Sequence, residues 1–383
     1  MSYEIKFSNS DSDSDSDSDN WNSFIRKCSN TSFFNLTYWL DSYSEYGCKT
    51  KYLMAVDKDN KIIGGAGIII FKIGPIKWLQ VSYGPFSKDG NKKVIFDLIK
   101  KINGYALDIH ASHIIIEPFQ RSNGPVTKAT QDKAIKYNSN FPLNITDDVL
   151  NVISKFSYKI HNEKGLIPTP REGLIVHLSN ENLLGQFRKR TSRYIRHTMK
   201  SETFKYDEID SIEKLKVAHN LFVETAKNYQ STYRVWDNFF KYTWPAVKSG
   251  IMKGYIAYYN SIPLSSIIVT YAGNRGYYSA GGVSRYEMSR IKEKGLRPSH
   301  ALQYIAMTDA KNKGILEYDL TSVVGGGVVD YKSSFYPEYY ILSSRYIQIV
   351  NEHLYYVYKF FHYFFYSHRR SFARVYYRLK NLF

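Results

Sequence analysis

Cysteine occurs only twice in the 383 residues, as Cys28 and Cys48. Two thiols cannot build a structural zinc site or a disulfide framework, and such sparse usage suits a reducing cytoplasm. Both are expected to be core residues. Long apolar runs are missing too: the most apolar stretch, Ile62 to Phe71, is interrupted by glycines and is too short to span a bilayer. No basic segment followed by an apolar one opens the chain, so the sequence shows no secretory leader and reads as soluble and cytoplasmic. Three catalytic signatures are absent: GxSxG, HExxH and GxxxxGK[ST]. Serine-hydrolase, zincin and P-loop chemistry therefore lack their motifs. His110 and His113 lie three apart near a strand start, on alternate faces and without a third ligand nearby. They are expected to be surface or half-buried side chains, and no metal site or bound cofactor is expected.

What is present is cationic and aromatic. The 52 Lys and Arg residues outnumber 35 Asp and Glu, giving +17, which points to anionic partners such as nucleic acid, phosphorylated ligands or a membrane surface. Tyrosine (35) and phenylalanine (22) bring aromatics to 16%, a composition that favours strands and polar-tipped pockets and that an AT-rich genome also produces. Asp-Ser pairs from Asp11 to Asp19 offer nothing to bury, so residues 1–20 are expected to form a disordered acidic tail.

From Trp21 onward the pattern repeats. FFNLTYWLDSY has helical spacing and is followed by KYLMAVD, a turn and KIIGGAGIIIFK as a hairpin. IKWLQVSYGPF supplies a third strand, NKKVIFDLIKKINGYA a helix and HIIIEPF a buried strand. Much later WDNFFKYTWPAV reads as an aromatic helix, then MKGYIAYYN, a turn at Ser261 and Ile262, and PLSSIIVTYAG as a second hairpin. RGYYSAGGVS is the next strand, PSHALQYIAMTDAKNKG a helix capped by Ser299, and ILEYDL a buried strand. The same element order occurs twice, which predicts two similar units in tandem.

Strand, hairpin partner, strand, helix and strand is the order of GNAT acyltransferases, and two such units in one chain resemble the Fem-type (FemABX) family of nonribosomal peptidyltransferases. The resemblance rests on FFNLTYWL with its hairpin, IIIEPF, LLGQFRKRTSRYIRHTMK, HALQYIAMTDAKNKGILEYDL and DYKSSFYPE. The last segment is similar to the family's closing Phe-Lys-x-x-Phe-Gly motif, with Tyr331 in place of the first Phe and Tyr336 in place of the Gly. It implies an α/β fold of two tandem GNAT-like domains with mixed sheets flanked by helices. The first would span residues 21–176 and the second, with the active cleft, 177–345. Residues 346–383 would be a basic aromatic C-terminal helix returning to the first domain. An alternative is that this segment, with Glu352 as its only acid, lies on an anionic membrane.

Amide formation needs a positioned amine, a route for its proton and donors for the developing oxyanion. By resemblance Lys332 stabilises the transition state, and Arg234 grips the phosphates of a nucleotide-linked precursor, work that suits a guanidinium fork. Tyr277 and Tyr278 lie on a strand facing the same cleft, where alternation turns one of them inward. Gly325, Gly326 and Gly327 read as a close-approach turn lining the cleft ahead of Lys332. Asp319 ends the strand LEYDL and either accepts the amine's proton through water or caps the following turn; Glu117 holds the corresponding place in the first unit. Lys189, Arg193, Arg196 and Lys200 recur on one helix face, with no acid between Glu181 and Glu202, as a surface for phosphates such as a tRNA acceptor stem or as a solvated charged face.

The reading is an aminoacyl or acyl transferase acting on an amine of a phosphorylated cell-envelope precursor, with aminoacyl-tRNA as donor. One alternative is a GNAT-type N-acyltransferase that uses acyl-CoA on a surface sugar or amino acid, although SRIKEKGLRPS misses the spacing of the superfamily's pyrophosphate loop. Another is a non-catalytic protein that binds nucleic acid or a membrane surface.

Overall fold

The computed structural model describes residues 2–9, 15–122, 148–161, 169–229, 231–322 and 327–363. Among these the strands are β1 (Tyr3–Asn9), β2 (Lys49–Asp57), β3 (Ile62–Ile73), β4 (Ile76–Ser82), β5 (Phe86–Ser87), β6 (His113–Glu117), β7 (Arg121–Ser122) and β8 (Lys159–His161). There follow β9 (Glu172–His177), β10 (Phe204–Glu208), β11 (Met252–Tyr259), β12 (Ile262–Ala272), β13 (Arg275–Val283), β14 (Glu317–Ser322), β15 (Glu338–Leu342) and β16 (Arg345–Ile349).

They form two mixed sheets. The first runs β1-β2-β3-β4-β6-β16-β8, with β5 on β3, and the second β10-β11-β12-β13-β14-β9-β15-β7. Each contains one parallel pair between its third repeated strand and its buried strand: β4 with β6, and β13 with β14. The tandem α/β arrangement read from the repeat is thus present. The units are interlocked, because β7 and β9 enter the second sheet from the first half of the chain while β16 returns to pair with β6 and β8.

Local chemistry explains the elements. Asn91 Oδ1 accepts from Lys93 N–H at 3.0 Å and caps the helix Lys92–Asp108, which buries Val94, Ile95, Leu98, Ile99, Ile102 and Ala106 on one face of the first sheet. On the opposite face lie Trp78, Tyr355 and Tyr358, the last two from a helix over residues 352–363. The second sheet is covered by the helices Lys189–Lys200 and Pro298–Asn312 on one side, and by Ile212–Asn228 and Trp236–Lys248 on the other. A third apolar cluster, including Trp21, Phe33, Phe34, Phe119, Tyr277 and Tyr340, joins the units.

Three expectations are corrected. Within the segment 1–20, expected to be a disordered tail, lie β1, paired along β2, and the start of the helix Asp15–Lys27, while residues 10–14 are outside the described residues. The cause is apolar: Tyr3, Ile5 and Phe7 alternate toward the core, and Trp21 and Ile25, one helical turn apart, are fully buried. Trp21 stacks on Tyr52 with ring centroids 5.3 Å apart and presses on β3 at Gly65, where a Cβ would lie 2.5 Å from the indole. The second hairpin turns at Asn260 and Ser261, whose φ values of 47° and 67° are unsuited to the β-branched Ile262. The helix Pro298–Asn312 starts with proline at its first position and Arg297 at the N-cap, so Ser299 lies inside it and is no cap.

Candidate active site

The parallel ladder of β13 and β14 is short. Arg275 pairs with Glu317, Gly276 with Tyr318 and Tyr277 with Asp319, and there the pairing stops. Thr321 then adopts φ 61°, donating its N–H to Asp319 Oδ1 at 2.6 Å and its hydroxyl to the Tyr278 carbonyl at 3.3 Å. The strands separate, and a cavity lies on either side of β13.

The first cavity, about 720 Å³, lies between the units and is lined by Phe33, Trp39, Tyr83, Arg234, Tyr277 and Asp319 among others. The second, about 340 Å³, lies within the second unit and is lined by Tyr229, Tyr278, Arg297, His300, Gly327 and Tyr331 among others. Strand alternation sends Tyr277 to one cavity and Tyr278 to the other, so both line a cavity rather than one alone. Burial pushes each phenol up to about 12, which keeps it protonated as a donor.

Lys332 lies at the junction. It sits on the helix Gly327–Ser333 and is only 4% exposed. Its Nζ donates to the carbonyl of Ser322, which lines the first cavity, at 2.7 Å, and lies 5.9 Å from the ring centroid of Tyr278, which lines the second. Burial lowers its ammonium to about 8, while the negative charge of Asp319 pulls the other way. Asp319 is 1% exposed and accepts from Tyr340 Oη at 2.7 Å through Oδ2. Its carboxylate thus fastens the turn, as in one of the two roles its place in the sequence allows, while also facing the first cavity.

Arg234 precedes the helix Trp236–Lys248 and reaches across to the first unit. Its Nη2 donates to Ser42 Oγ at 3.0 Å and its guanidinium lies 5.4 Å from the Trp39 ring centroid. It therefore presents a cation to the same cavity as Asp319 and Tyr277. Gly327 lies at the second cavity, but as the first residue of a helix; a Cβ there would meet nothing within 4 Å, so no close approach requires the glycine. Gly325 and Gly326 lie outside the described residues.

Glu117 has a different surrounding from Asp319. Its Oε1 pairs with Arg345 Nε at 2.6 Å, and its Oε2 accepts from Gln80 Nε2 and Ser82 Oγ, each at 2.8 Å. This carboxylate is enclosed and paired, and it is absent from the lining of the first cavity, where Asp319 is present. His113, expected to be a surface or half-buried side chain, is instead fully buried between Trp78 and Tyr358, and desolvation drops its imidazole to about 3. Cys28 and Cys48 are buried free thiols, pushed up to about 11 by burial. Among the described residues no group of three His, Cys, Asp or Glu side chains could hold a metal, and no helix is long and apolar enough to cross a membrane.

Lys189, Arg193, Arg196 and Lys200 are all exposed on the helix Lys189–Lys200. The helix flanks the second cavity: Tyr194 lies 4.9 Å under the guanidinium of Arg297, a lining residue, and accepts from Arg190 Nε at 2.7 Å.

Several lining residues escape a sequence reading. Trp39, Tyr83 and Tyr340 come from three distant segments, and the aromatic density of FFNLTYWL points toward Trp39 but not toward the other two. His300, lowered to about 4 by burial and by Arg297, packs edge-on against Tyr331 at 4.7 Å. Tyr331 in turn donates to the Ser299 carbonyl at 3.0 Å.

No family model and no curated protein matches the chain. Solved structures do. The crystal structure of FemX superimposes with a TM-score of 0.72 at 16% identity, covering 89% of this chain and 98% of FemX. The C-terminal domain of a protein from Agrobacterium fabrum named as a putative lysylphosphatidylglycerol synthetase gives 0.52 at 8% identity, over 88% and 92% of the two chains. A conserved protein of unknown function from Bacteroides thetaiotaomicron also gives 0.52, at 14% identity over 90% and 99%. The chain has the fold of FemX, built here as two mixed α/β units in tandem.

Proposed function

We propose that the protein is an aminoacyl or acyl transferase that forms an amide on an amine of a phosphorylated, peptidoglycan-type cell-envelope precursor, with aminoacyl-tRNA as the donor. The observation that carries this reading is Lys332, a buried ammonium that bonds Ser322 in the wall of the first cavity and lies near Tyr278 in the wall of the second. The acceptor occupies the first cavity, its phosphates against Arg234 and its amine toward Asp319. The donor's acyl end occupies the second. Attack by the neutral amine forms the C–N bond and breaks the ester C–O bond; the carbonyl oxygen carries negative charge in between, and the amine's proton ends on the released hydroxyl. A fixed positive charge in a water-poor cleft stabilises that oxyanion strongly, because its field is little screened. With its ammonium lowered only to about 8, Lys332 remains charged at neutral pH.

The structural neighbours named FemX and lysylphosphatidylglycerol synthetase agree with aminoacyl transfer to cell-envelope molecules. The exposed cations beside the second cavity favour a polyanionic donor. Acyl-CoA is the second reading, since the helix starting at Pro298 directs its N-terminus to the same cavity, where a donor phosphate of either kind is welcome. Purified protein incubated with radiolabelled aminoacyl-tRNA or acyl-CoA and candidate precursors tests the proposal. Transfer of label from the tRNA is expected; label from acyl-CoA alone replaces the donor, and label from neither overturns the reading.

A further inference from the structure

The helix over residues 352–363 has two unlike faces. Tyr355 and Tyr358 point inward, packing with His113 and Trp78 on the outer face of the first sheet. The opposite face puts large apolar side chains into water: Tyr356 is 68% exposed, Phe360 69%, Val357 45% and Phe361 40%. Tyr356 and Phe360 are one turn apart, as are Val357 and Phe361, so the four make one contiguous stripe. A soluble domain rarely leaves such a stripe bare without a partner for it.

The neighbourhood indicates which partner. Trp78 packs against Tyr358 with ring centroids 5.0 Å apart and stacks on Phe71 at 4.9 Å, and Trp78 and Phe71 line the first cavity. The lining of that cavity includes exposed Tyr46, Ile73 and Lys72, and its Tyr43, Cys48, Phe71 and Trp78 belong to the apolar cluster that Tyr355 and Tyr358 of the helix join. Beyond Glu352 the sequence contains no further acid, and it contains Lys359, Arg369, Arg370, Arg374, Arg378 and Lys380. Aromatic side chains beside cations suit the boundary between lipid headgroups and acyl chains, and the sign of the charge selects an anionic surface.

We propose that the exposed face of this helix seats the protein on an anionic membrane surface, with the mouth of the first cavity beside the bilayer. The test is sedimentation of the full chain with vesicles of phosphatidylcholine, with and without phosphatidylglycerol. The protein is expected to sediment with the mixed vesicles, less so with phosphatidylcholine alone. The double variant Tyr356→Ser, Phe360→Ser is expected to bind at least about tenfold more weakly with an unchanged melting temperature, since both side chains are already in water. Lys332→Ala is expected to sediment like the parent, which separates membrane docking from the transfer reaction. Failure of the parent to bind mixed vesicles, equal binding by the double variant, or equal binding to both vesicle types would overturn the proposal. So would a dimer in sedimentation equilibrium that the double variant dissociates, which assigns the stripe to a second copy of the chain.

Discussion

Arg345 and Glu117 are 228 residues apart in sequence and 2.6 Å apart in the structure. The pair ties the returning strand β16 to the end of β6, with the carboxylate 1% exposed and the guanidinium 13%.

Breaking this pair leaves one buried charge without its partner, a change that costs far more than the net worth of the pair. Glu117→Ala is therefore expected to lower unfolding stability by roughly 3–5 kcal/mol in urea titration. Activity per folded molecule is expected to stay near the parent's. Loss of activity at unchanged stability would instead return Glu117 to the reaction.

The contrast between Glu117 and Asp319 marks the limit of what the sequence discloses. Both end a buried strand, and both strands are legible as apolar runs closing on an acid. Which acid is sealed and which faces a cavity depends on β15 and β16, strands of five residues each whose destinations no periodicity encodes. The hairpins, the long helices and the tandem order are legible because each is specified by local spacing. The first cavity is not: Arg234 meets Ser42 across 192 residues, a contact created only when the units dock. The strand YEIKF at the N-terminus carries a clear alternation, yet the Asp-Ser run beside it dominates the composition. The position of Lys332 is visible through the closing motif, whereas its burial beside Ser322 and Tyr278 requires the divergence of β13 and β14.

Lys332→Ala is expected to lower kcat by about 10²–10³, the usual effect of removing one preorganised donor from an oxyanion site. Stability should move in the opposite direction or not at all. Burial, partly offset by the charge of Asp319, lowers the ammonium from its ordinary 10.5 to about 8, a net cost on the order of 3 kcal/mol at neutral pH. Lys332→Met removes that charge and keeps the volume, so its melting temperature is expected to equal or exceed the parent's while its turnover is lost. A large drop in melting temperature with retained turnover would make Lys332 a structural residue.

The same shift fixes a limb of the pH profile. A lysine with a lowered folded value is charged below about 8 and neutral above it, so any rate that depends on its ammonium falls as pH rises through 8. Single-turnover rates measured across pH are expected to show that alkaline fall. Lys332→Arg, whose guanidinium stays charged, is expected to lose the fall even where its overall rate is poor. In the parent, stability should rise between about 8 and 10.5, because the folded chain releases this proton before the unfolded chain does.

Arg234 holds its place by a hydrogen bond to Ser42 and by its position over Trp39. Lysine at this position retains the charge but loses the planar fork and the ring contact. Arg234→Lys is expected to raise KM for a phosphorylated acceptor about tenfold with kcat nearly unchanged, since the interaction is the same in ground and transition states. An equal fall in kcat and kcat/KM would move Arg234 from binding to the chemical step.

The helix Lys189–Lys200 offers the sharpest division between an enzyme and a binding module. Its exposed cations meet the donor, if at all, through phosphates, so replacing Lys189, Arg193, Arg196 and Lys200 by glutamine should weaken tRNA binding without touching the reacting atoms. Every phosphate left without a cation is expected to flatten the plot of log affinity against log salt by slightly less than one, read from binding isotherms at several salt concentrations. At saturating donor the variant should turn over like the parent. Lys332→Ala should behave in the opposite way, binding tRNA with the parental salt slope and failing to transfer. If the glutamine variant loses all biological activity while Lys332→Ala keeps it, the protein works by binding polyanions and the transfer reading fails. If both are tolerated, neither the cationic helix nor the buried lysine carries the function, and the polyanion-binding reading fails with it.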